Sequence, residues 1–193
     1  MSHAGDVATF DRASRFYDWF SPSPDPAEFR EALSFAERDV ERVLDVGGGT
    51  GRGASALDAR ERIVADAAPG MTRQARRNGF EAVRADAARL PFADESVDAV
   101  LVVDALHHFG DPEAAVAEAA RVLRPGGVLV VREIDPASPV GRVVEWGEHA
   151  YGFDSTFFPP ADLGRLVAVA GLDAKFRSSG FEYTVVGRLP GTE

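Results

Sequence analysis

The chain has 193 residues, of which 45% are hydrophobic and 27% charged, a composition typical of one globular domain rather than of a disordered chain. It contains no cysteine, and its four histidines lack a metal-ligand spacing such as HExxH, so we expect neither disulfides, nor thiolate chemistry, nor a metal site. A net charge of −10 disfavours a nucleic-acid partner, and without an apolar signal region in residues 1–11 or any run of about 18 apolar residues we expect a cytoplasmic protein with no membrane span.

An aromatic-rich segment leads the chain. Residues 10–20 include Phe16, Tyr17, Trp19 and Phe20, and such a cluster either covers a site as a lid or serves core packing alone. Prolines at alternate positions make residues 21–26 a stiff connector to the rest of the chain. We therefore treat residues 1–30 as a leading lid segment.

Strand and helix patterns then alternate, which predicts a Rossmann-like α/β fold with a parallel sheet between helices. The predicted strands are Arg42–Val46, Ile63–Asp66, Ala82–Ala85, Val97–Val103 and Val128–Ile134. The predicted helices are Arg52–Ala59, Pro69–Asn78, one that Asp111 caps before Pro112, Val140–His149 and Pro160–Ala170. Two last strands, Lys175–Ser178 and Tyr183–Leu189, are predicted to form an antiparallel pair at the sheet edge.

A glycine-rich loop follows the first strand, in the sequence Val43-Leu44-Asp45-Val46-Gly47-Gly48-Gly49-Thr50-Gly51. Open α/β sheets bind ligands at this end of their strands, and glycines let a ligand approach the backbone amides closely. The alternative is a tight turn without a ligand. The glycines alone do not distinguish a dinucleotide from another nucleoside cofactor.

Two acidic residues end the next strands. Asp66 stands where a carboxylate can accept hydrogen bonds from a ribose diol, and Asp86 can accept one from an adenine amino group. The alternatives are a helix cap for Asp66 and a turn residue for Asp86. Asp66 would serve NAD and S-adenosylmethionine equally.

Together these motifs resemble the class I S-adenosylmethionine-dependent methyltransferases, and among them the ubiquinone and menaquinone methyltransferases. The resemblance is carried by residues 43–51, Asp66, Asp86-Ala87, Leu90-Pro91-Phe92, Asp98 and the run from Arg121 to Gly127. It implies one domain over residues 1–193, a three-layer sandwich whose mostly parallel seven-stranded sheet has a reversed C-terminal strand.

The resemblance also implies the cofactor, S-adenosylmethionine, and the residues around it. The methionine part would lie against Asp45, Gly47, Gly48, Gly49, Thr50 and Gly51. The ribose would meet Asp66 and Ala67, the adenine would meet Asp86 and Ala87, and Asp104 with Ala105 would lie near the sulfonium.

The chain departs from the quinone enzymes after the fifth strand. Arg132 and Asp135 replace their usual apolar residue and serine, and the segment after Glu133 is shorter. We expect residues 135–160 to shape the acceptor pocket, and the shortness of the segment after Glu133 argues against a polyprenyl quinone as the substrate.

Candidate catalytic residues follow the fourth and fifth strands. His107 and His108 can accept a proton near neutral pH, and Glu133 can orient or deprotonate an acceptor. We assign His108 and Glu133 to catalysis, with Tyr17, His107 and Tyr151 at the acceptor. The alternatives are structural histidines and an ion pair between Glu133 and an arginine.

The sequence thus favours in-line methyl transfer to a small-molecule acceptor. A nicotinamide-dependent oxidoreductase is one alternative, disfavoured by the short chain and by the lack of a Tyr-x-x-x-Lys pair. A non-catalytic nucleoside-binding module is the other, disfavoured by the intact glycine loop and the two acids.

Overall fold

The computed structural model describes Val7, Phe10 and residues 25–191. The strands are β1 (Arg42–Val46), β2 (Glu61–Asp66), β3 (Glu81–Arg84), β4 (Val97–Val103), β5 (Leu123–Ile134), β6 (Asp173–Ser179) and β7 (Glu182–Arg188). The helices within residues 25–191 are α1 (Pro26–Leu33), α2 (Arg52–Ser55), α3 (Pro69–Arg77), α4 (Pro112–Val122), α5 (Pro139–Tyr151) and α6 (Pro160–Val169), with a 3-10 turn at Leu106–His108. None of the helices in the described residues is long and apolar enough to cross a membrane.

The strands form one sheet in the order β3-β2-β1-β4-β5-β7-β6. Strands β1 to β5 are mutually parallel, whereas β7 runs antiparallel to both of its neighbours, β5 and β6. This confirms the predicted sheet with its reversed C-terminal strand. The carboxyl ends of β1, β2, β4 and β5 consequently lie along one edge, where open α/β sheets bind ligands.

Helices cover both faces of the sheet. Along β4 the side chains alternate, so that Val100 and Val102 pack under α4 and α6 while Ala99 and Leu101 pack under α1. Every residue of β4 is buried, as a central strand between two helix layers requires. The result is a three-layer sandwich.

Within residues 25–191, helix α1 was not predicted. Helix α1 begins inside the proline-rich connector, where the Asp25 carboxylate accepts a hydrogen bond from the Ala27 amide at 2.9 Å and Pro26 occupies the first turn. An acidic cap followed by proline is a helix start signal, the same one that correctly placed α4 after Asp111.

Two boundaries differ from the prediction by more than two residues, and the other predicted boundaries lie within two residues of the observed ones. Helix α2 ends at Ser55 rather than Ala59, because the chain tightens there and buries Leu57 in the core. Strand β5 begins at Leu123, which pairs with Val97, before the register shifts and Val128 pairs with Ala99. The Pro125-Gly126-Gly127 run therefore forms an irregularity within the strand and not its start.

Candidate active site

The glycine loop lies at the carboxyl end of β1 and folds back on β2. The amide of Gly47 donates to the carbonyl of Ala65 at 2.8 Å. A Cβ at Gly48 would lie 2.5 Å from the carboxyl carbon of Asp45, and one at Gly53 would lie 2.9 Å from its Oδ2. Glycine is required at both positions because the loop wraps around this carboxyl group.

Asp45 is fully buried beneath the loop. Its Oδ2 accepts a hydrogen bond from the Ala54 amide at 2.8 Å, whereas its Oδ1 is buried and has no hydrogen-bond partner among the described residues. Burial raises the pKa of Asp45 to about 7, although the Ala54 amide lowers it. The protein thus holds a desolvated carboxyl group with one unsatisfied oxygen.

Asp66 ties the end of β2 to the glycine loop. Its Oδ2 accepts from the Gly49 amide at 3.0 Å and its Oδ1 from the Ala68 amide at 2.8 Å. Burial raises the pKa of Asp66, and these two amides oppose the rise. Asp66 can cap the following helix through the Ala68 amide and still bind a ligand in the cleft, because each carboxylate oxygen has a second lone pair that can accept another hydrogen bond.

A main cleft opens above these residues in two connected parts. The first part is lined by the predicted residues Asp45, Gly47, Gly48, Gly49, Asp66, Ala67, Asp104 and Ala105. The second part shares Gly47, Asp66 and Ala67 with the first and extends to Asp86 and Ala87. Ten of the predicted cofactor residues therefore come together along one cleft.

The other two predicted residues shape the loop. Thr50 is buried, and its carbonyl accepts from the Asn78 side chain at 3.0 Å. Gly51 begins α2 with a φ of +93°, and a Cβ there would meet the Phe80 ring at 2.4 Å. Neither belongs to the lining of the main cleft.

Several cleft residues escaped sequence reasoning. Phe109 lines both parts of the cleft, and its ring would lie 2.9 Å from a Cβ at Gly47. Met71 and Arg52 line the first part. Phe109 directly follows the predicted histidines, which is the one signal that could have drawn attention to it.

A side cavity adjoins the main cleft under α5. Its polar wall contains Arg52, Asp104, His107, His108, Arg132 and Glu148, and its apolar wall contains Ile134, Val140, Val144, Phe153 and Phe181. The two spaces share Phe10, Arg52, Asp104 and His108. These four residues define the junction between them.

Asp104 is held at the junction by arginines. Arg132 Nη1 donates to its two carboxylate oxygens at 3.1 and 2.9 Å, and Arg52 donates at 3.4 Å. Burial raises the pKa of Asp104, and the charge of Arg132 opposes this rise. Arg132, which departs from the quinone enzymes, therefore fixes a residue beside the cleft.

Glu133 contacts the 3-10 turn, and no arginine pairs with it among the described residues. It is buried, its Oε1 accepts from the Leu106 amide at 2.8 Å, and its Oε2 lies 2.6 Å from Nδ1 of His107. Both of its oxygens are engaged by the 3-10 turn, and Glu133 does not belong to the lining of the main cleft or of the side cavity. Its direct contact with an acceptor therefore stays a prediction. Glu133 orients His107 through its contact with Nδ1.

The two histidines have different surroundings. His107 is buried and stacks on Phe157 at 4.5 Å between ring centres. Its burial opposes protonation, but the charges of Glu133 and Glu148 prevail and raise the pKa of His107 to about 10. His108 is half-buried, borders the main cleft and the side cavity, and has Nδ1 3.2 Å from Ser155 Oγ.

Of the two tyrosines predicted at the acceptor, the structure describes only Tyr151. Tyr17 lies outside the described residues. Tyr151 ends α5 with 88% of its surface exposed and does not belong to the lining of the cleft or the side cavity. Phe10, by contrast, reaches the junction and contacts the ring of His108 at 4.8 Å.

Comparison with known proteins places this site in a family. A family model described as a methyltransferase domain matches residues 44–131. A demethylmenaquinone methyltransferase of Thermus thermophilus is 42% identical over 118 residues, which are 55% of this chain and 54% of the relative. Another, of Beutenbergia cavernae, is 38% identical over 168 residues, which are 80% of this chain and 67% of the relative.

Solved structures agree with the fold. A SAM-dependent methyltransferase from Thermotoga maritima superposes with a TM-score of 0.74 at 25% identity, covering 92% of this chain and 97% of that one. The chain spans about half the length of the first curated relatives it matches. On its extensive match to the Beutenbergia protein, the chain belongs to the class I S-adenosylmethionine-dependent methyltransferases.

Proposed function

We propose that the chain transfers a methyl group from S-adenosylmethionine to a small-molecule acceptor. The observation that carries the proposal is the buried Oδ1 of Asp45, which lacks a partner among the described residues at the floor of the main cleft. An unsatisfied buried carboxylate oxygen favours a cationic ligand, and the methionine part of this cofactor carries an ammonium group beside a sulfonium. The residues present thus fit the cofactor.

The rest of the cofactor follows the cleft. Asp66 would accept from the ribose hydroxyls with its remaining lone pairs, next to Ala67. Asp86 and Ala87 would meet the adenine in the second part of the cleft, beside Phe109. Asp104 and Ala105 would lie near the sulfonium, at the junction with the side cavity.

The same features disfavour the nicotinamide alternative. A pyrophosphate would bring negative charge to the loop that encloses Asp45, where a second negative charge is repelled. Helix α2 has only four residues and supplies little of the helix dipole that usually binds a pyrophosphate. The reversed β7 also departs from the all-parallel order of dinucleotide-binding domains.

The side cavity disfavours the alternative that the chain is a non-catalytic nucleoside-binding module. Residues 135–160 contribute Val140, Val144, Glu148 and Phe153 to the side cavity, which opens beside the proposed methyl position. This agrees with the acceptor-pocket segment proposed from the sequence. Val7 and Phe10 border the main cleft, so the lid hypothesis for residues 1–30 also stays in the proposal.

In the proposed reaction the cofactor would supply a methyl group on a sulfonium, and the acceptor would bond to that methyl carbon in line with the breaking carbon–sulfur bond, so that S-adenosylhomocysteine leaves. The chain's contribution is to align the two ligands across the junction, and such alignment can supply about 7–11 kcal/mol of the barrier reduction. His108 faces the junction and would take the acceptor's proton. Glu133 acts one step away, as a positioning residue for His107.

The acceptor is proposed only as a small molecule. The side cavity has both polar and apolar lining residues, which suits a small molecule. The net charge of −10 disfavours a nucleic-acid acceptor. A cytoplasmic setting and a one-domain organisation of residues 1–193 remain proposals from the sequence.

Calorimetric titration of the protein with S-adenosylmethionine tests the proposal, with micromolar binding of one molecule per chain expected. Asp66→Ala removes a charged acceptor and should weaken binding by roughly 1–3 kcal/mol, about 5- to 150-fold. The matched control is Asp58→Ala, an exposed carboxylate after α2, which should bind like the unaltered protein.

The titration has clear adverse outcomes. No binding by the folded protein, or tighter binding of NAD than of S-adenosylmethionine, would overturn the proposal. Unchanged affinity of Asp66→Ala would reject only the ribose assignment. Release of S-adenosylhomocysteine with any acceptor from a cell extract would exclude the non-catalytic alternative.

A further inference from the structure

His107, His108 and Glu148 form a cluster at the wall of the side cavity. Each offers one ligand atom, and these atoms all lie within 4.8 Å of one another. Glu148 Oε1 lies 3.6 Å from Nε2 of His107 and 3.9 Å from Nε2 of His108. Donor atoms around a tetrahedral zinc ion lie roughly 3.3 Å apart, so small side-chain adjustments would complete such a site.

Groups behind the cluster fix its orientation. Nδ1 of His107 lies 2.6 Å from Glu133, and Nδ1 of His108 lies 3.2 Å from Ser155 Oγ. With both Nδ1 atoms engaged, both Nε2 atoms turn toward Glu148. A carboxylate behind a ligating histidine is typical of metal centres, because it fixes the ring and raises its basicity.

The cluster also contains an unsatisfied oxygen. Oε2 of Glu148 is buried and has no hydrogen-bond partner among the described residues. Glu133 and Glu148 bring two negative charges to a small volume beside the two imidazoles. A divalent cation here would take the place of the proton on Nε2 of His107 and satisfy the remaining oxygen of Glu148.

We propose that His107, His108 and Glu148 bind a divalent transition-metal ion, with zinc the best match to two imidazoles and one carboxylate. This donor set, with one position left open, is characteristic of catalytic zinc. The proposal revises the expectation of no metal site. That expectation considered short spacings, whereas Glu148 reaches the histidines from another element, α5.

The open position would face the side cavity, and its use in methyl transfer rests on the proposed function. An acceptor hydroxyl bound to the cation would lose its proton to solvent more readily, since a metal lowers the pKa of a coordinated oxygen. That oxygen would then bond to the methyl carbon while the carbon–sulfur bond breaks and its electron pair stays on sulfur. The acceptor class is therefore a hydroxylated small molecule, and in the metal-loaded protein the cation replaces His108 as the activating group.

Cobalt(II) titration of the untagged protein, read by visible absorption and calorimetry, tests the metal site. One ion per chain should bind, with the intense bands of four-coordinate cobalt, and zinc should displace it. Glu148→Gln should weaken binding by at least about tenfold. Glu145→Gln removes the same charge one turn earlier on α5 and should leave metal affinity and thermal unfolding unchanged.

Absence of stoichiometric cobalt binding, or equal affinity in Glu148→Gln and Glu145→Gln, overturns the metal site. A parallel titration with S-adenosylmethionine in the presence of a chelator separates the two proposals. Cofactor binding without metal binding rejects the metal site alone, whereas metal binding without cofactor binding rejects the proposed function alone.

Discussion

At the scale of single residues, Asp45 combines a cost for folding with a use in binding. Its carboxyl group lies under the glycine loop, with one satisfied and one unsatisfied oxygen. Ionising a buried carboxyl group is unfavourable unless a cation or donors compensate. A ligand with a positive charge would supply that compensation, so the cofactor should stabilise the protein most where Asp45 is charged.

Asp45→Asn should therefore make the ligand-free protein more stable above pH 7. Burial raises the pKa of Asp45 from 3.8 to about 7, so the folded state binds more protons than the unfolded state between these values. The contribution of Asp45 to the free energy of unfolding therefore falls as the pH rises from 3.8 to about 7, by roughly 4 kcal/mol at most, and it stays constant above that range. Asparagine can still accept from the Ala54 amide but cannot ionise.

Urea unfolding of both proteins from pH 4 to pH 9 measures this effect. The stability difference between Asp45→Asn and the unaltered protein should grow in favour of the variant up to about pH 7, because other titrating groups cancel in the comparison. A difference that does not change with pH would contradict the assignment.

Acidic residues at strand ends correctly predicted where the cleft lies, but they did not predict which way each side chain points. Asp66 and Asp86 both border the cleft because strand ends of a parallel sheet converge whatever their details. Glu133 comes at an equivalent position on β5, yet its side chain turns to the 3-10 turn. Neighbouring positions on a strand point to opposite faces, and the pattern alone did not reveal what each face would meet.

At the scale of elements, periodicity and caps placed most helices and strands. The starts of α3 and α4 were predicted correctly from their prolines, whereas α1 was hidden in a proline-rich run. The start of β5 was missed because Pro125 and two glycines mimic a boundary. Only pairing with β4 across the sheet reveals that the strand continues through them.

The packing of α6 on β7 predicts opposite effects for two glycine substitutions. A Cβ at Gly187 in β7 would lie 2.4 Å from Val167 of α6 and 3.0 Å from Leu172. Gly187→Ala should therefore destabilise the protein by about 1–3 kcal/mol through overpacking. Gly164 in α6 has nothing within 4 Å of such a Cβ among the described residues, so Gly164→Ala should stabilise by up to about 1 kcal/mol through helix propensity.

The free energies of unfolding in urea compare the two variants under one condition. Near-ultraviolet circular dichroism serves as the check that each variant keeps its packing. A Gly187→Ala variant as stable as the unaltered protein would contradict the close approach of the helix to the strand, and a destabilised Gly164→Ala variant would contradict the open space at that position.

At the scale of the whole molecule, the resemblance implied a mostly parallel seven-stranded sheet, whereas the order of its strands was not predicted. The apolar runs fix which segments are buried, while the position of β7 between β5 and β6 depends on long-range pairing. The sequence predicted that residues 135–160 shape an acceptor pocket, but it did not predict the cavity's wall, to which α5 contributes Val140, Val144 and Glu148 from a segment whose pattern is loose. The packing of α5 over the histidines depends on tertiary contacts that the local sequence pattern does not reveal.

Charge is also a property of the whole chain. The protein has 31 acidic against 21 basic residues, and Lys175 is the only lysine. Excess negative charge repels itself in the compact state, and salt screens that repulsion. Several arginine–carboxylate pairs, such as Arg121 with Asp94, are exposed, and salt weakens them, but exposed pairs contribute little.

We therefore expect added salt to stabilise the protein. The thermal midpoint should rise as sodium chloride increases from about 0.02 to 0.3 M, because the screening length falls from about 20 Å to about 6 Å over that range. The buried pair of Arg132 and Asp104 is screened far less and should hold its contribution. Sodium sulfate at matched ionic strength is the control, since screening predicts the same rise for both salts whereas ion exclusion predicts a larger one for sulfate. A midpoint that stays level or falls in sodium chloride would mean that attractive pairs outweigh the net repulsion.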